Sequence, residues 1–207
     1  MEQRRQGRHR AVSAHKRALI LEAARHVFQA EGLEGASLRA IAAQAGYAPA
    51  ALYSHFDSKE AIYAEVLQTS LAALGTAIGK SVAEARSPEQ RLHAAAMAFF
   101  GFYAENPCDL DLGFYLLRGG MRRAGLGRAR DEQLNAALEA ALSPIAAAAE
   151  DLGASESDAK MMMVDIFAHA AGLLLLLHTG RIRIFGASAG ERMEAYVQER
   201  ITRLRQS

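Results

Sequence analysis

Apolar residues recur at steps of three and four along most of this chain, and glycine or proline cuts the pattern at intervals. From about Ala14 to Ala30, Leu19, Ile20, Ala23, Ala24, Val27 and Phe28 share a helical face, and Gly32 supplies the stop. Later helical patterns cover about 88–105, 109–119, 127–150, 155–179 and 189–205, with breaks at Ser87-Pro88, Asn106-Pro107, Gly119-Gly120, Gly153 and Gly186. Pro144 falls inside one of them and is expected to kink or split it, because it lacks the N–H that continues the ladder. Alanine is abundant while Val and Thr are few, which favours helices over strands. The reading is an all-α protein of about nine helices.

Between the first helix and the later ones lies a shorter pattern. Ser37 can accept from a free backbone N–H, so SLRAIAAQAG reads as a capped helix ending at Gly46. Pro49 opens PAALYSHF, where its missing N–H costs nothing. Two short helices joined through Gly46-Tyr47-Ala48 form a helix-turn-helix. Ile41, Ala42, Ala45 and Leu52 are spaced to pack the pair together and onto Phe28. Asp57 and Glu60 have capping-box spacing and predict a fourth helix from Ser58 to about Lys80. The expected division is a basic arm over 1–13, the helix-turn-helix domain over 14–60 and a larger helical domain over 61–207, with the fourth helix as a mechanical link.

Charge separates the same two parts. The net charge is only +1, yet nine Lys or Arg stand against five Asp or Glu up to Lys59, and fifteen against eighteen beyond it. A basic amino-terminal part on a mildly acidic body fits a polyanion at one end, or else a solvated tail. Lys59 sharpens the first option. A cation in the first turn of a helix faces the positive end of the dipole, a conflict that a docked phosphate would remove. Ser37 starts another helix and offers a second such place.

These residues carry a resemblance. Leu19 to Leu67, with AARHVFQAEG, ASLRAIAAQAG and LYSHFDSKEAIY, resembles the DNA-binding domain of TetR family bacterial transcriptional regulators. The resemblance implies a three-helix DNA-binding domain joined to an all-helical domain that dimerises and binds a small ligand. It places Ser37 on phosphate and Arg39 on a base edge, with Pro49, Ala50, Ala51 and Tyr53 facing the groove. His55 and Lys59 would meet phosphates, and Tyr47 and Ser54 are further backbone candidates. The segment APAA has almost no hydrogen-bonding side chains, so Arg39 and DNA shape are expected to carry most discrimination. Arg4, Arg5, Arg8 and Arg10 would add a salt-sensitive contact or stay in a free tail.

In the body, the last two helices are expected to form a homodimer contact. Ala168, Ala171 and Gly172 permit close approach, and Leu175, Met193, Tyr196, Val197, Ile201 and Leu204 supply apolar surface. Packing within one subunit is the plainer alternative. The run from Met161 to Leu177 is interrupted by Asp165 and His169, so a buried helix is expected, not a membrane span. Phe99, Phe102, Tyr103, Phe114, Tyr115 and Met162 suit either a plain core or the lining of an apolar ligand cavity, with Arg118, Asp165 and His169 as polar members. Asp165 and His169 are four residues apart, so a pair between them is the simplest reading. His93 is a further polar candidate.

Cys108 is the only cysteine, which excludes an internal disulfide and fits a reducing cytoplasm. No metal-spaced cluster, Gly-rich phosphate loop or nucleophile setting appears, so neither enzyme chemistry nor a metal or cofactor is expected. The leading function is a ligand-responsive repressor, dimeric on a pseudopalindromic operator in duplex DNA. A helical interaction or small-molecule-binding module without DNA binding is the rival.

Overall fold

The structure is a computed structural model that describes residues 2–114, 117–118, 122–123 and 125–206, with side chains at 7, 11–114 and 125–206. Among the described residues, nearly all secondary structure is helical. The elements are α1 (Glu2–Gly35), α2 (Leu38–Ala45), α3 (Pro49–Tyr53), α4 (Lys59–Ala83), α5 (Pro88–Glu105), α6 (Pro107–Gly113), α7 (Arg128–Asp151), α8 (Glu156–His178) and α9 (Ala189–Leu204). A 3₁₀ turn, Arg181–Phe185, joins the last two helices. One departure is a two-rung antiparallel ladder of β1 (Leu117–Arg118) and β2 (Arg122–Arg123), where the pattern predicted the end of a helix.

Helix boundaries follow local chemistry. Gly32 interrupts α1 with φ 67° and ψ 175°, as the glycine predicted. The basic arm over 1–13 is continuous with α1, which runs back to Glu2; Arg, Gln and Ala there favour helix and no proline intervenes. Helix α4 is capped one residue later than the spacing predicted: Ser58 Oγ, not Asp57, accepts from Ala61 N–H at 3.2 Å. Helix α7 runs on through Pro144. The Ala140 carbonyl that Pro144 cannot serve accepts instead from the Ser143 hydroxyl at 2.9 Å.

Two compact units share the chain: residues 1–69 with 111–134, and residues 70–110 with 135–207. Helix α4 therefore contributes its first part to one unit and its remainder to the other. In the first unit, α1 packs on α2 and α2 on α3 around Ile20, Ala24, Phe28, Ile41, Ala42, Leu52, Ile62 and Leu67. Tyr63 meets Phe28 edge-on at 4.8 Å and donates its hydroxyl to the Leu112 carbonyl at 2.9 Å, tying residue 112 to this unit.

In the second unit, α5, α8 and α9 pack on one another around Leu92, Phe99, Ile145, Ile166, Leu174, Met193 and Val197. Helix α8 has 23 residues and a mean hydropathy of 1.7 in its most apolar window. By length and composition alone α4 and α8 are both able to cross a membrane, since α8 extends beyond its uninterrupted apolar run. One face of α8 is nonetheless core: Met162, Met163, Ile166, Ala170, Leu173 and Leu174 are buried.

Candidate nucleic-acid interface

The turn between α2 and α3 is built from three local devices. Ser37 Oγ accepts from Ala40 N–H at 3.1 Å and caps α2. Gly46 adopts φ 72°, ψ 26°, a left-handed conformation that a side chain would strain. Its N–H bonds the Ala43 carbonyl at 3.1 Å, and Tyr47 N–H bonds Ala42 O at 2.9 Å. Pro49 then starts α3. With Ile41 and Leu52 fully buried beneath, the helix pair is held from inside and its outer residues are left on the surface.

Those outer residues include most of the predicted interface. Ser37, Arg39, Pro49, Ala50, Tyr53 and Ser54 are exposed, and Tyr53 is 63% accessible. Tyr47, Ala51 and His55 are half-buried. Ser54 Oγ donates to its own helix at Ala51 O, 2.7 Å away. The surface thus presents a guanidinium, a phenol ring and a small apolar row.

Lys59 behaves differently from the expectation. Its Nζ donates to Glu34 O at 3.2 Å and Ala36 O at 3.1 Å. The unfavourable placement at the start of α4 is relieved by carbonyl groups at the end of α1, with no phosphate required. One of the three ammonium protons remains for another acceptor.

Sequence reasoning missed Arg17. Its guanidinium lies 4.2 Å from the Phe56 ring centroid and donates to the His55 carbonyl at 2.8 Å. It also forms a two-point ion pair with Glu65, Nε to Oε2 at 3.1 Å and Nη2 to Oε1. One side chain therefore pins the chain after α3 to α1 and α4. The only linear signal is the polar spacing of Arg17 from the apolar face of the first helix, which does not say what it will meet.

Residues 20–66 match the sequence model of the family described as bacterial regulatory proteins, tetR family. Residues 20–66 therefore resemble the amino-terminal domain of TetR family regulators. The transcriptional activator FasR of Mycolicibacterium smegmatis is 37% identical over 87 residues, which is 42% of this chain and 40% of FasR. The match thus spans less than half of that relative's length. A TetR family transcription regulator from Shewanella sp. PV-4 shares the fold with a TM-score of 0.68 at 22% identity, over 88% of this chain and 95% of that one. FadR from Bacillus subtilis, solved in complex with stearoyl-CoA, gives 0.68 at 17% identity, over 89% and 96%. Among its described residues the chain thus has an amino-terminal helix-turn-helix on a mostly helical body, the fold these structures share.

The predicted ligand and dimer residues whose side chains are described fall outside that surface. Phe99 and Tyr103 are buried and meet edge-on at 5.3 Å, with Phe102 5.2 Å from Tyr103. Burial, with the Asp109 charge second, pushes the Tyr103 phenol up to about 12. Met162 is buried in the second unit, whereas Phe114 is exposed in the first. Tyr115, Leu116 and Met121 lie outside the described residues, as do the side chains of Arg4, Arg5, Arg8, Arg10 and Arg118.

The expected Asp165–His169 pair is absent. Asp165 is exposed and takes Arg200 Nη1 at 3.5 Å, while His169 stacks on Tyr196 with 3.8 Å between centroids. Helix α9 interposes these partners, which four-residue spacing on α8 could not foresee. Burial holds the His169 imidazole below its ordinary range. His93 is likewise engaged, donating to the Glu194 carboxylate at 2.7 Å. That bond is the first cause of a Glu194 pKa below its usual value.

The dimer set divides. Met193, Val197 and Ile201 are buried inside the subunit, because α5 and α8 already cover that face of α9. Tyr196, Leu204 and Ala171 are half-buried, and Ala168, Gly172 and Leu175 are exposed.

Proposed function

We propose that this chain is a dimeric, ligand-responsive transcriptional regulator of the cytoplasm, acting as a repressor on a pseudopalindromic operator. The carrying observation is the capped helix-turn-helix whose exposed edge holds Ser37, Arg39, Pro49, Ala50, Tyr53 and Ser54 over a sealed core. In this reading Arg39 reads a guanine edge, Pro49, Ala50, Ala51 and Tyr53 lie along the groove, and Tyr47, Ser54, His55 and Lys59 meet the backbone. Two copies would grip successive major-groove faces.

The effector is a long apolar acyl chain joined to a polar head. The stearoyl-CoA complex of the similarly folded FadR supports that class, and so does the apolar interior around Phe99, Tyr103 and Met162. The buried Ser70 hydroxyl, in the same unit and with no partner among the described residues, is the polar anchor this reading assigns. Helix α4, shared by both units, is the lever that links ligand to DNA.

A gel shift on the DNA flanking its own gene tests the reading, with salt and stearoyl-CoA titrations. Affinity should fall steeply with salt, and Arg39→Ala should cost about 1–3 kcal/mol of base discrimination. Stearoyl-CoA should release the DNA. Unchanged sequence preference in Arg39→Ala defeats the assigned base reading, and a reporter assay gives the sign of regulation, where FasR is named an activator.

A further inference from the structure

Five residues of α8 turn away from the subunit core: Met161, Val164, Ala168, Gly172 and Leu175 are all exposed. Their separations are three, four, four and three residues, so the row reads alike from either end about Ala168. Such a row fits a second copy of itself running antiparallel, with a two-fold axis at Ala168. Met161 of one copy then meets Leu175 of the other, and Val164 meets Gly172, large against small.

The helix ends are complementary in charge. Helix α8 opens with exposed Glu156 and Asp158, and beyond its other end stand exposed Arg181 and Arg183. At 1.5 Å per residue, Asp158 and His178 each lie about 15 Å from Ala168, on opposite sides. Antiparallel pairing therefore brings the acidic start of one α8 beside the basic turn that follows the other.

That turn is well made for contact. Gly180 and Gly186 bracket it with φ 71° and 60°, the Gly186 N–H bonds Arg183 O at 3.0 Å, and Ile182 is buried beneath it. Ile184 and Phe185 are nevertheless 77% and 73% exposed, the highest values of any large apolar side chain among the described residues. A rigid turn that holds two such residues in water, between arginines, is a pre-organised contact surface.

We propose that the turn Arg181–Phe185 docks on the amino-terminal end of α8 in a second copy of the chain. Arg181 and Arg183 engage Glu156 and Asp158 there, while Ile184 and Phe185 cover apolar surface around Met161. This rests on the dimer reading above and adds its orientation, its register and an element outside the two helices.

Sedimentation of the full chain tests it. R181E/R183E should raise the dimer dissociation constant at least tenfold, as should E156K/D158K, and the four substitutions combined should restore it. Within one subunit the two charged groups are separated by the length of α8, more than about 30 Å, so rescue must act between subunits. Exposed R181E/R183E leaves the core intact, and circular dichroism melting reports whether E156K/D158K weakens α8 itself. An unchanged constant in R181E/R183E overturns the docking while leaving the dimer. A monomeric wild type removes both.

Cysteine cross-linking in a C108S background settles orientation, since Cys108 is exposed. Co-expressed M161C and L175C chains should cross-link to each other and neither to itself. Self-linked L175C without a mixed product means that the pairing is parallel or that its axis lies at Leu175, and either overturns the register.

Discussion

The first unit and the second unit leave opposite kinds of surface in water. In the first, polar groups build the framework: Arg17 joins His55, Phe56 and Glu65, Lys59 closes on Glu34 and Ala36, and Ser37 caps α2. What remains outside is a small edge with Arg39 and Tyr53. In the second, polar groups such as His93, Glu194, Asp165 and Arg200 pair near the surface, while an apolar row on α8 stays uncovered. The contrast teaches that the same helical grammar leaves two chemically different surfaces. A fixed polar edge with one guanidinium has the chemistry to meet a rigid polyanion, and an apolar row that to meet another protein helix.

The comparison breaks most severely at the core of the first unit. Ile41→Ala should cost roughly 2–5 kcal/mol, because a fully buried side chain leaves a cavity between α1 and α2. Chemical denaturation should then show an early transition, with DNA binding lost and the α5–α8–α9 packing retained. A single transition with both units lost together would show that the two do not fold independently.

Arg17→Met comes next. It removes a bridge that includes one hydrogen bond to a carbonyl and one ring contact, worth about 1–2 kcal/mol together. As Arg17 positions the chain after α3, operator and random DNA should weaken by the same factor in a gel shift. A selective loss on operator alone would make it a reader of bases.

Lys59→Met separates framework from phosphate. The clamp on Glu34 and Ala36 predicts a stability loss of about 1 kcal/mol. If Lys59 also touches DNA, the slope of log affinity against log salt falls by about one. An unchanged slope with lowered melting temperature assigns it to the framework alone.

The smallest effects lie in the second unit. Ser70→Ala removes a buried, unpartnered hydroxyl, so stability should hold or rise by up to ~1 kcal/mol while acyl-ligand affinity drops. His169 gives a pH signature. Its imidazole is held below the ordinary 6.5, chiefly by burial, so the unfolded chain binds the extra proton first as pH falls. Stability should decline as pH drops below about 6.5, and His169→Gln should flatten that decline in thermal melts between pH 5 and 7.

Much of this was readable in linear order. The helical class, the break at Gly32, the cap at Ser37, the turn at Gly46 and the start at Pro49 each depend on neighbours within four residues. Propensity and capping are local, so the string carries them. The exposed edge with Arg39 and Tyr53 was legible for the same reason. Pro144 does not split its helix and Asp57 does not cap α4, because a nearby serine does the work in each place, Ser143 on Ala140 O and Ser58 on Ala61 N–H.

What the chain order could not decide is which side chains meet across elements. That Lys59 closes on Glu34 and Ala36 was invisible until the end of α1 came within 3.2 Å of it, and Arg17 had no visible role until Phe56 and Glu65 arrived. Asp165 and His169 shared a helix face, yet α9 gave each a different partner. Met193, Val197 and Ile201 looked like dimer surface until α5 and α8 covered them. Helix position is set by bonds three and four residues apart, whereas burial and pairing depend on residues tens of positions away, brought together only when the core closes.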